Sequence, residues 1–464
     1  MYYIMIICII IPLIVIVVEL ARKINKHFAL KKVFNIKREV RNLKQEYKYT
    51  PEPIPENELQ GYTYLGESSN HKKIHISNDC KHVFVCGTTG SGKTVALSNF
   101  IKSGIDNDYP MLIIDGKGDV GANSILDIVQ KLGASKKIYV VNLNDPAHSA
   151  KYNPFRNASP TVIKDMLINM TQWSEEHYKL NTERYLQKLV GVLYQAQIPM
   201  SFQNIIKYMP SDKFVKLSAE LVKIGIITKE AHLENYEIAK TSGKIAENAT
   251  SRFSTIAESE AGSIFSETGV DIYTAMKEKA IILFILNPLI YPELSPLMGR
   301  LILIDSKKAV QNLFGKEQRT FFLFDEINVY ASTALLDLVN KSRSANVTCI
   351  LATQSLSDLD YANGAFFKEQ IIENCNNYIV LRQNSAVNAE HWSKILGTRQ
   401  NLDVTFQLTN KRSAFTEDTG LGSARRVREF LYHPDEIKTF STGKGIFMCK
   451  DNNSHSKITI NKPF

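Results

Sequence analysis

Seven short apolar runs constrain the fold of this chain more than any other feature of its sequence. Each run is almost unbroken in Val, Ile, Leu and Phe, and stretches of helical character separate one run from the next. Strands that are buried on both faces of a parallel sheet have this composition, and parallel neighbours need crossover helices between them. The sequence therefore predicts an α/β fold with a mostly parallel sheet. The predicted strands are residues 82–86, 111–115, 138–142, 280–286, 320–325, 347–353 and 378–381.

The interval from residue 155 to about residue 270 lacks a convincing strand. It has the pattern of several helices, including residues 175–197 and 229–260. An interval of this length is far too long for one crossover connection, so we predict an inserted all-α domain. Between residues 160 and 270, twelve Lys and Arg are matched by thirteen Asp and Glu. Charge therefore does not make this insertion a DNA-binding surface.

The first 18 residues contain no charged side chain. As a helix they would span about 27 Å, close to the roughly 30 Å hydrocarbon core of a bilayer. Basic residues follow this segment and none precedes it, so the positive-inside rule leaves the bulk of the chain in the cytoplasm. A cleaved signal peptide lacks support because there is no basic n-region, and a buried core helix lacks support because there is no polar face. We predict a single-pass membrane anchor.

The formal net charge of +9 is concentrated just after the predicted anchor. Residues 19–48 carry ten Lys and Arg against three acidic residues, which leaves the other 434 residues near +2. We expect the basic run to lie against anionic headgroups, the alternative being a solvated helix. A linker follows at residues 49–58, where Pro51, Pro53 and Pro55 discourage helix. The nearly neutral body is weak support for DNA binding by charge alone.

One glycine-rich segment matches the phosphate-loop pattern GxxxxGK[ST] in full. It follows a predicted strand and opens a helical stretch at residues 95–105. The glycines of such a loop let backbone N–H groups surround phosphates, and the helix N-terminus adds its positive dipole end. We expect Lys93 to reach the β- and γ-phosphates of ATP and the Thr94 hydroxyl to ligate Mg²⁺; a plain glycine turn is the alternative. The loop consists of Gly87, Thr88, Thr89, Gly90, Ser91, Gly92, Lys93 and Thr94.

A second segment ends an apolar strand with two acidic residues, Asp325 and Glu326. In a fold with a phosphate loop, the first acid is expected beside Mg²⁺ and the second is expected to act as a general base on the attacking water. Alone, a solvated strand end is the commoner meaning of this pattern. The phosphate loop in the same chain favours the functional interpretation.

Three other positions are candidates for the same site. Gln354 follows the strand at 347–353, where its amide could sense the γ-phosphate or simply cap the next turn. Arg343 ends the preceding helical stretch and could act on the γ-phosphate of a neighbouring subunit, or be a solvated arginine. Arg382 follows another predicted strand and is a further candidate. The glycines of residues 115–119 indicate a backbone bend beside a site or a plain turn.

Six segments occur in an order that resembles the conjugative coupling ATPases of type IV secretion systems, the TraG/TraD type. The most specific part of the resemblance is residues 325–359. The segments are GTTGSGKT at 87–94, IIDGKGD at 113–119, NPF at 153–155, FFLFDE at 321–326, ANVTCILATQS at 345–355 and VREFLYHPDEIKTFSTGKGIF at 427–447.

The resemblance implies a RecA-like nucleotide domain that is interrupted by an all-α domain and anchored in the inner membrane. Members are thought to form hexamers that deliver relaxase-bound single-stranded DNA to a secretion channel. The resemblance implies the family's Walker A role for Gly87, Gly92, Lys93 and Thr94, and its Walker B role for Asp325 and Glu326. It implies the sensor role for Gln354 and, with a less direct match, the finger role for Arg343.

The expected cofactors are ATP and Mg²⁺. The expected partners are single- or double-stranded DNA, relaxase and relaxosome proteins, channel components of the secretion system, the membrane, and further copies of the chain in a homo-hexamer. The predicted segments are an anchor at 1–20, a basic juxtamembrane segment and linker at 21–60, a nucleotide-binding domain at 61–155 and 272–464, and the all-α domain at 156–271.

These observations predict a membrane-anchored ATPase that couples a relaxase–DNA substrate to a secretion channel and drives DNA transfer. Two other functions stay open. One is a pump for chromosomal DNA like FtsK or HerA, without conjugation. The other is a receptor that docks substrates and for which ATP is a regulatory ligand.

Overall fold

The computed structural model of the protein describes residues 13–24, 27–28, 38, 54–55, 58–79, 82–170, 173, 175–364, 366–409 and 417–464. The chain divides into two compact units. The larger unit takes in Pro51–Asn384 and Thr439–Phe464, and the smaller unit takes in Met1–Thr50 and Ser385–Lys438. All the candidate site residues named above belong to the larger unit.

The larger unit is built on a sheet of eleven strands. Their order across the sheet is β2-β1-β13-β12-β9-β3-β8-β7-β4-β6-β5, and β10 and β11 belong to the smaller unit. The strands are β1 (Tyr62–Ser68), β2 (Lys73–Ser77), β3 (Val83–Cys86), β4 (Met111–Asp115), β5 (Ile138–Asn142), β6 (Ile281–Ile285), β7 (Thr320–Asp325), β8 (Val347–Thr353), β9 (Asn377–Leu381), β12 (Lys444–Cys449) and β13 (Ser454–Ile460).

The seven strands β3 to β9 run parallel to one another and confirm the prediction from the apolar runs. Predicted and observed boundaries agree to within one residue. Every residue of these strands is buried except in β5, which lies at the sheet edge. Burial on both faces is the reason that their sequences show no polar alternation.

The other four strands of the sheet were not predicted. β1, β2, β12 and β13 pair antiparallel and extend the sheet beyond β9. β2 shows why, because its residues alternate between buried and more exposed positions. A strand that buries one face only has a short alternating pattern, which differs from an unbroken apolar run.

Twelve helices of the described residues belong to the larger unit. Ser, Thr and Asp side chains cap several of them, as at Ser124, Ser159, Ser201, Thr228 and Asp271. The helices are α1 (Lys93–Asp106), α2 (Ile125–Leu132), α3 (Pro160–Asn169), α4 (Glu176–Gln195), α5 (Phe202–Tyr208), α6 (Ser211–Lys223), α7 (Lys229–Ala257), α8 (Ile272–Lys277), α9 (Leu294–Leu313), α10 (Thr333–Ser342), α11 (Leu356–Asn363) and α12 (Phe367–Asn374).

Helices α3 to α7 fill the interval in which only helices were predicted. The two named predictions are confirmed as α4 and α7, which are slightly shorter than predicted. Tyr152 forms β-bridges with Phe265 and Val270, so the chain enters and leaves this helical interval at one place. The domain boundaries at residues 156 and 271 stay predictions.

Residues 13–24 are helical and exposed. In the part of the chain that the structure describes, no helix has both the length and the apolar character needed to cross a membrane. Residues 1–12 of the predicted anchor lie outside the described residues, as does most of the basic segment and linker at 21–60.

Residues 385–438 of the smaller unit contain a helix, a two-stranded antiparallel ribbon and a short second helix. These elements are α13 (Ala386–Leu396), β10 (Thr398–Thr409), β11 (Glu417–Phe430) and α14 (Pro434–Lys438). Trp392 of α13 is fully buried. The ribbon is a feature that the apolar runs did not predict.

Candidate active site

The glycine-rich loop joins the end of β3 to the start of α1, as its pattern predicted. A Cβ atom at Gly87 would lie 2.5 Å from Ser91 Oγ and 2.7 Å from Leu381 Cβ. Gly92 has φ of +109°, a conformation that favours glycine. Both positions therefore require glycine for the loop to curl as it does.

Lys93 begins α1 and is almost completely buried. Its Nζ donates a hydrogen bond to the Gly87 carbonyl oxygen at 2.9 Å and lies 3.4 Å from Glu326 Oε1. Because β8 stands between β3 and β7 in a parallel arrangement, the loop and the acidic pair share one edge of the sheet. The structure thus brings together the two segments on which the nucleotide hypothesis depends.

The acidic pair lies at the end of β7. Asp325 and Glu326 are 3% and 6% exposed, and Glu326 has φ of +47°. This left-handed backbone is uncommon for a residue with a side chain and is typical of functional sites. Tyr330 supports the turn by donating its hydroxyl to the Asp325 carbonyl oxygen at 2.8 Å.

Gln354 links the loop to the acidic pair. Its amide Nε2 donates to Glu326 Oε1 at 2.9 Å, and its Oε1 accepts a hydrogen bond from Thr89 Oγ1 at 2.8 Å. The side chain therefore contacts both segments at once. A mere polar cap of the following turn would make neither contact.

Asp115 is a site residue whose role was not predicted. It ends β4, stands opposite Asp325 in the parallel register and is 2% exposed. Its Oδ1 accepts hydrogen bonds from the backbone N–H groups of Lys117 and Gly118. Gly116 is needed next to it, since a Cβ there would lie 2.8 Å from the Asp325 carbonyl oxygen. The bend at 115–119 thus packs directly on the acidic pair.

Burial and nearby negative charges raise the pKa values of Asp115 and Asp325. Burial raises the pKa of Asp115 to about 6. Burial, followed by the charges of Glu326 and Asp115, raises the pKa of Asp325 well above its ordinary value. The site holds more negative charge than Lys93 offsets, so it favours a bound cation.

The turn that precedes β12 also contacts the loop. Thr442 Oγ1 donates to the Gly90 carbonyl oxygen at 2.9 Å, and the Gly443 N–H donates to the Ser91 carbonyl oxygen at 2.9 Å. This segment is part of the family resemblance, which implies no role for it. Its only local signal is a glycine-rich turn, STGKG, at residues 441–445.

The two arginine candidates lie in different places. The carbonyl oxygen of Arg382 accepts a hydrogen bond from the Thr88 N–H at 3.0 Å, so Arg382 adjoins the loop. Arg343 is exposed and precedes the start of β8, whereas the site lies beyond the end of β8. Within one chain the structure does not bring Arg343 to the other candidates. A finger role for Arg343 therefore requires the site of a second copy.

The loop fits a phosphate group. Thr88 Oγ1 and Ser91 Oγ are buried and have no hydrogen-bond partner among the described residues. No side chain caps the N-terminus of α1, so its first N–H groups are available to an anion. Thr94 lies in the first turn of the same helix.

The residues also fit a magnesium ion that is shared with a nucleotide. The described residues contain no group of three or more His, Cys, Asp or Glu that could hold a metal ion alone. Mg²⁺ commonly takes only one or two protein ligands and completes its shell with phosphates and water. A hydroxyl at Thr94 and a carboxylate at Asp325 match that requirement.

Residues 73–461 match the family described as the type IV secretion-system coupling protein DNA-binding domain. The chain belongs to this family. The match covers most of the chain, including residues 385–438 of the smaller unit.

Solved structures share the fold of this coupling protein. The unbound bacterial conjugative coupling protein TrwB gives a TM-score of 0.62 at 15% identity, over 92% of both chains. TrwB in complex with ADP and Mg²⁺ gives 0.61 at 16% identity, over 91% of this chain and 92% of that one. VirB4 of Thermoanaerobacter pseudethanolicus gives 0.55 at 12% identity, over 86% of this chain and 96% of that one.

One sequence relative is an uncharacterized protein of Mycoplasma pneumoniae. It is 31% identical over 112 residues, which cover 92% of that protein and 18% of this chain.

Proposed function

We propose that this coupling protein is an ATPase that links a DNA substrate to a type IV secretion channel and drives DNA transfer. The observation that carries the proposal is the contact of Lys93 and Gln354 with Glu326, which joins the phosphate loop to the acidic pair. Family membership supports the secretion context. Structures of TrwB with ADP and Mg²⁺ and with an ATP analogue support ATP and Mg²⁺ as the cofactors.

Each site residue has a proposed role. The loop N–H groups and Lys93 bind the phosphates, and Thr94 and Asp325 hold Mg²⁺. Glu326 accepts a proton from the attacking water, and Gln354 orients that water and the terminal phosphate. Bound Mg²⁺ supplies positive charge that stabilises the charge developing on the phosphate oxygens. Asp115 keeps the acidic pair in position through Gly116.

The finer features of assembly belong to the same proposal. A helix at residues 1–20 anchors the chain in the inner membrane in a single pass, and the bulk of the chain lies in the cytoplasm. The chains form a homo-hexamer in which Arg343 of one copy acts on the nucleotide of the next. The relaxase and channel components of the secretion system are the protein partners. The absence of charge in residues 1–18 supports the anchor, and the exposure of Arg343 supports its action between copies.

The test is ATP hydrolysis by the full-length chain, measured with and without single- and double-stranded DNA while particle mass is recorded. We expect hydrolysis that DNA stimulates, in particles of hexamer mass. Lys93→Ala is expected to abolish turnover, and Lys341→Ala, at an exposed lysine near the other end of the sheet, is the matched control. A hexamer that DNA does not stimulate would contradict a DNA motor.

A transfer assay in cells separates the motor from a docking receptor. We expect the Lys93→Ala variant to be unable to support DNA transfer. Transfer at the unaltered level would instead favour the receptor, for which ATP is a regulatory ligand.

A further inference from the structure

The phosphate loop follows β3, and the sheet continues on both sides of that strand. On one side lie β8 and then β7, and on the other side lie β9 and then β12. Gln354 and Glu326 stand directly after the ends of β8 and β7, so the proposed function puts the terminal phosphate of the nucleotide on that side. The nucleoside at the other end of the nucleotide therefore leaves the loop toward β9 and β12.

The segment that leads into β12 lies where the nucleoside would leave the loop. β12 runs antiparallel to β9, and Gly445 stands opposite Leu381, the last residue of β9. The start of β12 is therefore at the same edge of the sheet as the phosphate loop. Thr442 and Gly443 donate hydrogen bonds to the loop, and a Cβ atom at Gly92 would lie 3.2 Å from the Gly443 Cα. This segment thus borders the loop on the side away from the acidic pair.

A cleft of about 500 Å³ lies beside this segment. Its volume is within the roughly 300–1,000 Å³ that is usual for small-molecule sites. All its lining residues belong to the larger unit. Half-buried Phe440 contributes an aromatic ring, and exposed Lys444 and Thr459 contribute polar groups. Lys444 and Thr459 stand directly opposite each other on β12 and β13, so their side chains share one face of the sheet.

We propose that this cleft holds the nucleoside of the bound nucleotide, with the base stacked on the ring of Phe440. A nucleobase is a flat ring system, and aromatic side chains bind such rings by stacking on their faces. The ribose hydroxyls and the edges of the base need hydrogen-bond partners, which the Lys444 amine and the Thr459 hydroxyl can supply. The proposal rests on the proposed function, because the loop has to hold the phosphates for the nucleoside to reach the cleft.

The test measures how tightly the full-length chain binds two probes with Mg²⁺, a non-hydrolysable ATP analogue and inorganic tripolyphosphate. Tripolyphosphate has no nucleoside, so it separates contacts in the cleft from contacts in the loop. We expect the unaltered chain to bind the analogue more tightly than tripolyphosphate. Phe440→Ala is expected to raise Kd for the analogue roughly tenfold or more and to leave Kd for tripolyphosphate unchanged. Phe440→Tyr keeps a ring and is expected to bind the analogue nearly as tightly as the unaltered chain.

Phe314→Ala is the matched control, because Phe314 is an exposed phenylalanine that precedes the start of β7, at the other edge of the sheet. It is expected to leave both constants unchanged. Phe440→Ala that binds the analogue like the unaltered chain would overturn the proposal, as would an equal loss of both probes, which would make Phe440 a support of the loop. Tripolyphosphate that binds the unaltered chain as tightly as the analogue would overturn it too. If the unaltered chain bound neither probe, the proposed function itself would fail.

Discussion

Two regions of the molecule each surround one lysine with buried carboxylates, and they differ in how the charges are offset. At the edge of the sheet that holds the candidate active site, Asp115, Asp325 and Glu326 are buried near Lys93. Where the chain enters and leaves the helical interval, Asp271 and Asp305 are buried near Lys308.

In the second cluster, contacts within the protein offset the charges. Lys308 Nζ lies 2.9 Å from Asp305 Oδ1 and 3.1 Å from Asp271 Oδ2. It also donates to the carbonyl oxygens of Pro154 and Arg156. These bonds hold the NPF segment against α8 and α9. This cluster, which we call the joint, therefore has a structural role, in which the NPF segment takes part.

At the candidate active site, fewer contacts offset the charges. Lys93 contacts one of three carboxylates. Similar residue types thus give a joint where the lysine contacts both carboxylates and a candidate binding site where it contacts one of three.

The largest effect is expected from Glu326→Gln. Loss of the proposed general base should lower kcat for ATP hydrolysis by about 10² to 10⁴. The free energy of unfolding should change little, because Asp115 and Asp325 leave Lys93 with negative charge nearby. Phosphate release and chemical denaturation measure the two quantities. Glu317→Gln, at an exposed glutamate near the other end of β7, is the control, and a variant that keeps a tenth of the activity would contradict the role.

At the joint, the expected effect is on stability. Lys308→Met leaves two buried carboxylates without their cation and should lower the free energy of unfolding by about 3–5 kcal/mol. Lys307→Met is the control, because Lys307 forms a partly exposed pair with Asp337 and should cost about 1 kcal/mol or less. Chemical denaturation of the full chain measures both. An equal loss of stability in the two variants would show that the Lys308 cluster contributes no more than the partly exposed pair of Lys307 and Asp337.

His82 is a buried group that we expect to stay neutral. Its Nε2 bonds the Val339 carbonyl oxygen, its Nδ1 accepts from the Cys349 N–H, and burial lowers its pKa to about 4. As pH falls from the ordinary histidine value of 6.5 toward 4, the unfolded chain binds a proton that the folded chain does not, so stability falls by about 3 kcal/mol. His82→Gln should remove this part of the pH dependence, and His148→Gln, at an exposed histidine, should not. Chemical denaturation of the two variants and the unaltered chain at pH 7.5 and pH 4.5 measures this difference in the free energy of unfolding.

A smaller effect is expected at Gly116. An added Cβ would press on the Asp325 carbonyl oxygen and on Glu326 Cβ, so Gly116→Ala should displace the acidic pair. We expect kcat to fall roughly tenfold or more, since small displacements of reacting groups are costly. Gly121→Ala is the control, because its Cβ would meet only the Asp119 side chain. Steady-state hydrolysis that is unaffected by Gly116→Ala would argue against a positioning role for this bend.

The smallest effect is expected at Thr442. Thr442→Val removes the hydrogen bond to the Gly90 carbonyl oxygen, which is worth about 1 kcal/mol, so KM for ATP should rise a few-fold. Thr442→Ser keeps the hydroxyl and should restore KM. If both variants shift KM equally, the hydroxyl contact has no part in loop support.

The parallel strands could be predicted because burial on both faces leaves a purely apolar run at each of them. The phosphate loop and Asp325 and Glu326 were predictable because each stands in a contiguous pattern. Asp115 and Thr442 were not, because their contacts join distant segments. Asp115 lies beside Asp325 because β4 and β7 pair in a parallel register. Thr442 contacts Gly90, which is 352 positions away in the sequence.

The central claim is that one Mg²⁺–ATP is held between the phosphate loop and the end of β7. Calorimetric titration of the full-length chain with a non-hydrolysable ATP analogue, with and without Mg²⁺, tests this most directly. We predict that Mg²⁺ tightens binding to the unaltered chain and that Asp325→Asn loses most of this tightening while still binding the analogue. Binding that is indifferent to Mg²⁺, or an Asp325→Asn variant with the full Mg²⁺ effect, would contradict the claim.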